Sequence, residues 1–486
     1  MGSQDRMAGY AAGTAGSVRA TGSVCRRRIG ALLDPESFVE IDSLVRTNGI
    51  TFGFERDAVD GDGVVSGYGT IDGRPVFIAA QDPDVYGGSI GRMHAAKIAK
   101  AIRLAIQARA PFIAMYDSGG ARIEEGVLAL EGMAEILGEM YAAAGDVPTI
   151  SAIMGPCPGG LAFAAAASDF VFMCGSKSGI YMNGPMVVSA SEGKSLDAAV
   201  IGGPDVHASV TGLASFVCAD EADCCFKIKR LLSYLPDSGD AGAIAFDAQD
   251  DANRSDASLD AMAVGMDAGY DVRAILSTVM DDGSLLETSG AYAPGLFTGF
   301  ARLTGYNIGI VANADPMMDA AMTEKATRFV RICDAFGIPL ITFTDAAGFK
   351  IGTAYEKSAM IRNGAAMMAA FAGCTVPRLG VILGKAYGTA YVAMNSKQIG
   401  ADLVYAWPTA EVAVVGPDTA ANIIYRKEIA ASAYPATARA DFVAKYAENV
   451  AHARVAASLG HIDEIIMPSA TRPRLASALD MLVSAY

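Results

Sequence analysis

The sequence predicts an α/β chain made of two copies of one fold, and three observations carry that prediction. The first is a repeated strand-to-helix turn. Val147-Pro148-Thr149-Ile150 leads through an apolar run into Gly155-Pro156-Cys157-Pro158-Gly159-Gly160. Val376-Pro377-Arg378-Leu379 leads into Gly384-Lys385-Ala386-Tyr387-Gly388-Thr389. The offset is 376 − 147 = 229, and Gly155 to Gly384 and Gly159 to Gly388 repeat it. The second is the segment 110–123, with Asp117-Ser118-Gly119-Gly120-Ala121-Arg122, which resembles 338–351 at an offset of 345 − 117 = 228. The third is an alternation of buried strand patterns with helical ones, the mark of a layered α/β structure. A near-constant offset over two segments implies an internal duplication. Each copy carries a glycine-containing turn that would aim backbone N–H groups at developing negative charge.

The elements follow in order. Residues 1–25 are of low complexity and are expected to be mobile. A short helix is expected over 26–33, stopped before Asp34-Pro35, then a strand over 38–41. Residues 63–80 read as a hairpin turning at Asp72-Gly73. A helix follows over 94–108, with Ile98, Ile102 and Ala105 on one face and Lys97, Lys100 and Arg103 elsewhere. Buried strands are expected over 112–116 and 149–154, and a helix over 161–167, an alanine-rich run. Residues 236–260 hold seven aspartates and few large apolar residues. They predict an acidic linker over 241–260 between a first domain, 26–240, and a second, 261–486. In the second copy the hairpin returns over 300–313, the helix over 323–336 and the buried strand over 338–344. Residues 437–457 and 472–485 read as peripheral amphipathic helices.

Bulk properties narrow the function. Mean hydropathy is +0.30 and 52% of residues are hydrophobic. No apolar run reaches the roughly 18 residues of a membrane span, and no apolar signal core opens the chain, so direct membrane insertion is not expected and a cytoplasmic location is. A net charge of −15 argues against a nucleic-acid surface. The eight cysteines form no C-x-x-C pair and read as buried thiols, and four histidines make a metal site improbable.

The first turn places the amides of Gly159 and Gly160 at a helix N-terminus. Donors aimed there at an enolate or tetrahedral oxyanion contribute about 3–4 kcal/mol each. One isolated Gly-Gly reads as tight packing; the repeat favours function. In the second turn the donors are the amides of Thr389 and Ala390, although a β-branched threonine resists positive φ. Cys157 lies inside the first turn without an evident histidine, so the chemistry is assigned to backbone dipoles rather than to a thiol. Residues 117–122 form either a ligand pocket at a strand's carboxyl end or a structural turn with Arg122 solvated or ion-paired. Residues 86–94, with Lys97, offer loop amides and cations suited to phosphate groups.

Together these strings, with Phe329 to Phe336 and Gly400 to Glu411, resemble the carboxyltransferase subunits of biotin-dependent acyl-CoA carboxylases and decarboxylases, of the methylmalonyl-CoA decarboxylase α and propionyl-CoA carboxylase β type. The resemblance implies two tandem crotonase-like domains related by internal duplication. It implies a carboxyltransferase that moves CO2 between biotin and a small acyl-CoA, propionyl/methylmalonyl or acetyl/malonyl. The coenzyme A thioester would lie on the first half, near Gly87, Gly88, Ser89, Ser118, Gly119, Gly120, Ala121 and Arg122, with its oxygen held as an enolate by Gly159 and Gly160. Biotin would lie on the second half near Gly348, Phe349, Tyr387 and Gly388, its ureido oxygen held by Thr389 and Ala390. Val392 stands where the family chooses its acyl chain. No metal is implied.

The chain lacks a biotinyl-lysine motif, so the resemblance implies a separate biotin carrier protein, and a biotin carboxylase or a membrane decarboxylase subunit beside it. It also implies a homo-oligomer built from dimers, up to a hexamer. Departures from the family gather in the second half: Thr389 for glycine, Ala347 and Lys350-Ile351 within a usual Pro-Gly-Phe-Leu-Pro-Gly, Ser358-Ala359 for Gly-Gly, and Asn363 for histidine. In the first half Phe163-Ala164-Ala165 replaces Tyr-Ser-Pro. Two competing readings are a biotin-independent crotonase-like decarboxylase or hydrolase and an inactive partner subunit.

Overall fold

Hydrogen-bonded register repeats where the sequence does. In the first unit Phe112 pairs with Thr149 on adjacent parallel strands; in the second Leu340 pairs with Arg378, at offsets of 228 and 229. The computed structural model describes residues 23–47, 58–242, 244–248 and 250–484, with Met7. The chain divides into units Met1–Ala241 and Gly242–Tyr486. The mobile segment expected over 1–25 lies outside the described residues up to residue 22, Met7 apart; Val24 and Cys25 already belong to the helix Val24–Leu32.

The first unit holds a seven-stranded sheet in the order Val39–Ile41, Val64–Ile71, Arg74–Gln81, Phe112–Tyr116, Thr149–Ile153, Phe170–Cys174 and Phe216–Cys218. The first three strands are antiparallel and the rest parallel. The second unit runs in the same sense through Leu286–Glu287, Leu296–Leu303, Tyr306–Asn313, Leu340–Ala346, Arg378–Tyr387, Leu403–Ala406 and Glu464–Ile465, with Glu411–Ala413 beside the long fifth strand. Both hairpins close through two residues of positive φ, Asp72-Gly73 and Thr304-Gly305, the type that matches strand twist. An aspartate braces each turn. Asp34 accepts from the N–H groups of Asp72 and Gly73, and Asp281 from those of Thr304 and Gly305.

Between hairpin and parallel strands each unit packs one long helix, Arg92–Ala108 or Ala320–Ala335. Ile98, Ile102 and Ala105 join Phe112, Tyr116, Ile153 and Leu161 in the first core. Phe297, Ile310, Phe343, Val381 and Trp407 build the second. Lys97, expected away from the apolar face, is buried. It is 1% exposed and donates to the carbonyls of Gly61 and Val64. Lys325, 228 residues on, donates to Tyr292 and Leu296 in the same way. The helix covers the start of the hairpin strand, and each lysine adds a donor to two backbone carbonyls there.

The acidic stretch is heavily engaged. Asp237 pairs with Arg74 at 2.6 Å, Asp250 with Arg254 at 2.8 Å, and Asp256 accepts from the Ser258 N–H at the start of Ser258–Gly265. The last helix, Thr471–Val483, is not peripheral: Leu475 and Leu479 lie in the core and Arg472, 1% exposed, bonds the carboxylate of Asp281. Among the described residues no helix is long and apolar enough to cross a membrane.

Candidate active site

Three loops meet at the carboxyl ends of the first unit's parallel strands. Gly88 has φ +64°, and a Cβ there would lie 2.1 Å from the Asp117 carbonyl oxygen. The absence of a side chain lets the 86–91 loop press against the 117–122 loop. Ser118 Oγ donates to Gly88 O at 2.7 Å and accepts from the Gly120 N–H at 3.0 Å. Gly119 N–H donates to Gly87 O, Ile90 N–H to Gly120 O and Arg122 N–H to Ile90 O, each at 2.8 Å. Ile90 and Ala121 form a parallel bridge. Ser118 N–H reaches Pro156 O at 2.8 Å and so ties in the third loop. Gly87, Gly88, Ser89, Ser118, Gly119, Gly120, Ala121 and Arg122 therefore belong to one lacework.

Arg122 is the ion-paired alternative of the two weighed for it. Its guanidinium is 3% exposed, pairs with buried Asp62 at 2.7 Å and Glu125 at 2.8 Å, and donates to Ser89 O at 2.9 Å. It fixes the 86–91 loop from within. Lys97 and His94 are likewise internal, which removes both as cations for phosphate; of the segment's cations only Arg92 stays partly exposed, paired with Glu135 at 2.7 Å. His94 is 0% exposed, with one ring nitrogen 3.1 Å from Gln81 Nε2 and the other 2.8 Å from Asp62 O. Burial drives its pKa down to about 3, so the ring stays neutral.

At the first turn Gly159 adopts φ 67°, ψ −132°, and the helix Gly160–Ala167 begins one residue later. Gly159 donates its own N–H to Tyr181 O at 2.8 Å. Gly160 lies at the first helical position, where no carbonyl four residues back receives the N–H. The pair thus divides the work: Gly159 makes the bend and Gly160 supplies the helix-terminal donor. A Cβ on Gly160 would lie 2.4 Å from Met133 Sδ, so glycine here also permits close helix packing. Cys157 is 0% exposed and burial pushes its thiol far above the ordinary value, which removes it as a nucleophile. All eight cysteines are free and buried.

The second unit repeats the scaffold with different companions. Asp117 N–H donates to Gln81 Oε1 at 3.0 Å; Asp345 N–H donates to Asn313 Oδ1 at 3.2 Å. A Cβ on Gly155 would lie 2.1 Å from Asp117 Oδ1, and one on Gly384 2.8 Å from Asp345 Oδ1. Asp117, however, pairs with Arg28 at 2.8 Å, whereas Asp345 accepts from the Tyr270 hydroxyl at 3.0 Å. Beside Asp345 opens a cavity of about 360 Å³ lined by Tyr270, Gly384, Lys385, Thr409 and Glu411 among others. Sequence reasoning missed Arg28 and Tyr270, because neither belongs to a repeated motif.

The second turn resolves the question of Thr389. Positive φ falls on Gly388, at +58°, while Thr389 and Ala390 are the next residues of the helix Gly388–Ala393. Thr389 is exposed at the helix start and Ala390 is buried. The Tyr387 hydroxyl donates to Glu411, and Val392 lies half-buried on the same helix. Gly348 and Phe349 pair in parallel with Met317 and Met318, and this strand packs against Gly388–Ala393. The second-half residues are thereby brought together. Among the described residues no cluster of His, Cys, Asp and Glu could hold a metal ion.

Comparison with known proteins agrees with this architecture. A family profile described as "Carboxyl transferase domain" matches residues 18–486. The chain is 43% identical over 464 residues to the methylmalonyl-CoA decarboxylase subunit alpha of Veillonella parvula, covering 94% of this chain and 90% of that one. It is 40% identical over 475 residues to the propionyl-CoA carboxylase beta chain of Saccharopolyspora erythraea, covering 94% and 87%. A crystal structure of transcarboxylase 12S, described as a hexamer assembly with methylmalonyl-coenzyme A and methylmalonic acid bound, superimposes with a TM-score of 0.93 at 37% identity, covering 99% of this chain and 95% of that one. The chain belongs to the carboxyl transferase family, the carboxyltransferases of biotin-dependent carboxylases, decarboxylases and transcarboxylases.

Proposed function

We propose that this chain is the subunit that moves CO2 between carrier-borne biotin and a small acyl-CoA, with the methylmalonyl/propionyl pair as substrate. The observation that carries the reading is the doubled turn: two scaffolds of one design, each ending in a helix-terminal amide after a positive-φ glycine. In the first, the Gly160 N–H is the donor for the thioester oxygen as it gains enolate charge, with the helix dipole behind it. The laced loops 86–91 and 117–122 form the wall that would hold the coenzyme A moiety. In the second, the N–H groups of Thr389 and Ala390 face the ureido oxygen, and Phe349 offers a flat apolar neighbour. Biotin, when bound, carries the carboxyl group; the chain's own residues orient both partners and exclude water. Within the first turn Cys157 stays a protonated thiol, and the carboxylate packed against Gly155, that of Asp117, is held by Arg28 at 2.8 Å, which suits a site that works through backbone dipoles. Val392 is assigned to acyl-chain choice.

The same reading places a biotin carrier protein, and either a biotin carboxylase or a membrane decarboxylase subunit, in other chains. The hexamer described for transcarboxylase 12S supports a homo-oligomer here. Location in the cytoplasm, with any membrane attachment through partners, completes it. The test is decarboxylation of methylmalonyl-CoA and malonyl-CoA by the pure chain, with and without free biotin. Biotin-stimulated release of CO2, lost in Gly160→Val, is the expected result. Turnover indifferent to biotin would overturn the proposal.

A further inference from the structure

Residues 347–359 form a strap that carries Gly348 and Phe349 past the second turn, and not one of the thirteen is buried. Ile351 at its tip is 88% exposed. The strap therefore lacks buried apolar anchoring of its own. Its backbone is fastened at one short stretch: Ala347 N–H to Pro316 O and Lys350 N–H to Met318 O, both at 2.8 Å, around the two-residue pairing of Gly348 and Phe349 with Met317 and Met318. At the last residue of that stretch the side chain adds an ionic fastening. Lys350 Nζ lies 2.9 Å from Asp319 Oδ2 and 3.8 Å from Asp315 Oδ2.

Both acceptors are rigidly held. Asp319 Oδ1 accepts from the Ala321 and Met322 N–H groups and so caps the helix Ala320–Ala335. Asp315 Oδ1 accepts from the Met317 N–H at 2.9 Å. One carboxylate thus joins the end of a buried helix to a strap with no core of its own. The strand Gly348–Phe349 packs in turn on Gly388–Ala393, the helix whose first amides form the second turn.

We infer that Lys350 is a positioning residue for the biotin-facing turn: its ion pair with Asp319 latches the strap that sets Gly348 and Phe349 against the helix Gly388–Ala393. This rests on the proposed role of the second unit. Lys350 and Asp319 keep 28% and 27% of their side-chain surface exposed, so solvent screens the pair. Losing it should loosen the turn about two- to fivefold rather than abolish the site.

The test uses the full chain and methylmalonyl-CoA decarboxylation driven by biotin methyl ester, which is uncharged, so that added salt acts on the latch and not on the ligand. Lys350→Leu is expected to raise the KM for the ester about two- to fivefold, with kcat and the KM for methylmalonyl-CoA unchanged, and Lys350→Arg to restore the parental value. Salt should raise the parental KM for the ester toward that of Lys350→Leu, and leave the variant's flat, because screening opens what the substitution has already opened. The salt titration of the parental chain needs no variant to fold. An unchanged KM for the ester in Lys350→Leu, a parallel change in both KM values, or equal salt dependence in the two chains would overturn the latch. If the parental chain turns over without any stimulation by the ester, the functional reading falls, and the latch with it.

Discussion

Gly88→Ala tests whether the missing Cβ at Gly88 is what lets the 86–91 and 117–122 loops lace together. The reference is Gly73→Ala. Gly73 also has positive φ, +77°, but a Cβ there meets no heavy atom within 4 Å. That variant carries only the strain of a left-handed alanine, about 1–2 kcal/mol. Gly88→Ala carries the same strain and places a Cβ 2.1 Å from the Asp117 carbonyl oxygen, a backbone atom at the end of a buried strand. Relief requires the 86–91 and 117–122 loops to part. The Ser118 Oγ–Gly88 O and Gly119 N–Gly87 O hydrogen bonds then break, at about 1 kcal/mol each. The excess over Gly73→Ala is about 2 kcal/mol, or roughly 30-fold in the opening equilibrium. Amide hydrogen exchange reads it directly, since Ile90, Gly119 and Arg122 donate the N–H groups that bridge the loops. Exchange at these three should run roughly 30-fold faster in Gly88→Ala than in Gly73→Ala, with the strand Phe112–Tyr116 unchanged. Equal protection in the two variants would refute the lacework, and a rise confined to the strand would put the strain elsewhere.

Two further outcomes follow from buried titratable groups. Burial holds the pKa of His94 near 3 against an ordinary 6.5, so below pH 6.5 the unfolded chain takes up a proton that the fold refuses, and stability falls with pH until about 3. His94→Gln should flatten the first unit's unfolding free energy by up to about 1.4 kcal/mol per pH unit in that window, measured by denaturant titration at a series of pH values; an unchanged slope refutes it. Lys97 and Lys325 are each pushed down by burial to about 8 from 10.5. Between those values the unfolded chain is the more protonated state, so both lysines make stability rise with pH. The Lys97→Met/Lys325→Met double variant should lose that rise, and a slope retained in it would show that other groups set the alkaline behaviour.

The fold was legible because its signals are local and periodic. Asp72-Gly73 marks a tight hairpin, the 112–116 and 149–154 runs have the length and apolar character of buried strands, and an alanine-rich helix follows the second. The failures share one physical origin, the pairing of distant polar groups. Lys97 reads as lying off the apolar face and as a cation for phosphate, yet it donates to the carbonyls of Gly61 and Val64, 36 and 33 residues away in sequence. Arg122 could be solvated or paired on local grounds. One partner, Glu125, is local, three residues on; the other, Asp62, is separated from it by 60 residues. Residues 472–485 read as a peripheral amphipathic helix, and Arg472 is nonetheless buried on the carboxylate of Asp281. Periodicity reports which face is apolar; it does not report a charge whose partner comes from another element.

The repeated residues themselves shape the turns more than they carry the chemistry. Gly155 and Gly384 recur because an aspartate carboxylate, Asp117 or Asp345, occupies the space of their missing Cβ. Each aspartate is there because a side-chain amide, Gln81 or Asn313, receives its N–H. Selection on this frame is steric and visible in sequence. The donors proposed here, the N–H groups of Gly160, Thr389 and Ala390, belong to the backbone; Gly160 is fixed by its packing on Met133, but a threonine can stand at 389 once Gly388 takes the positive φ. Divergence is then free to act on what surrounds the frame. In the first unit a guanidinium, Arg28, neutralises the aspartate and bridges on to Glu221. In the second a phenol meets it and a cavity opens alongside. One frame with two electrostatic settings is what a chain needs if it is to hold two different oxyanions, and the setting, not the frame, is where their difference must be sought.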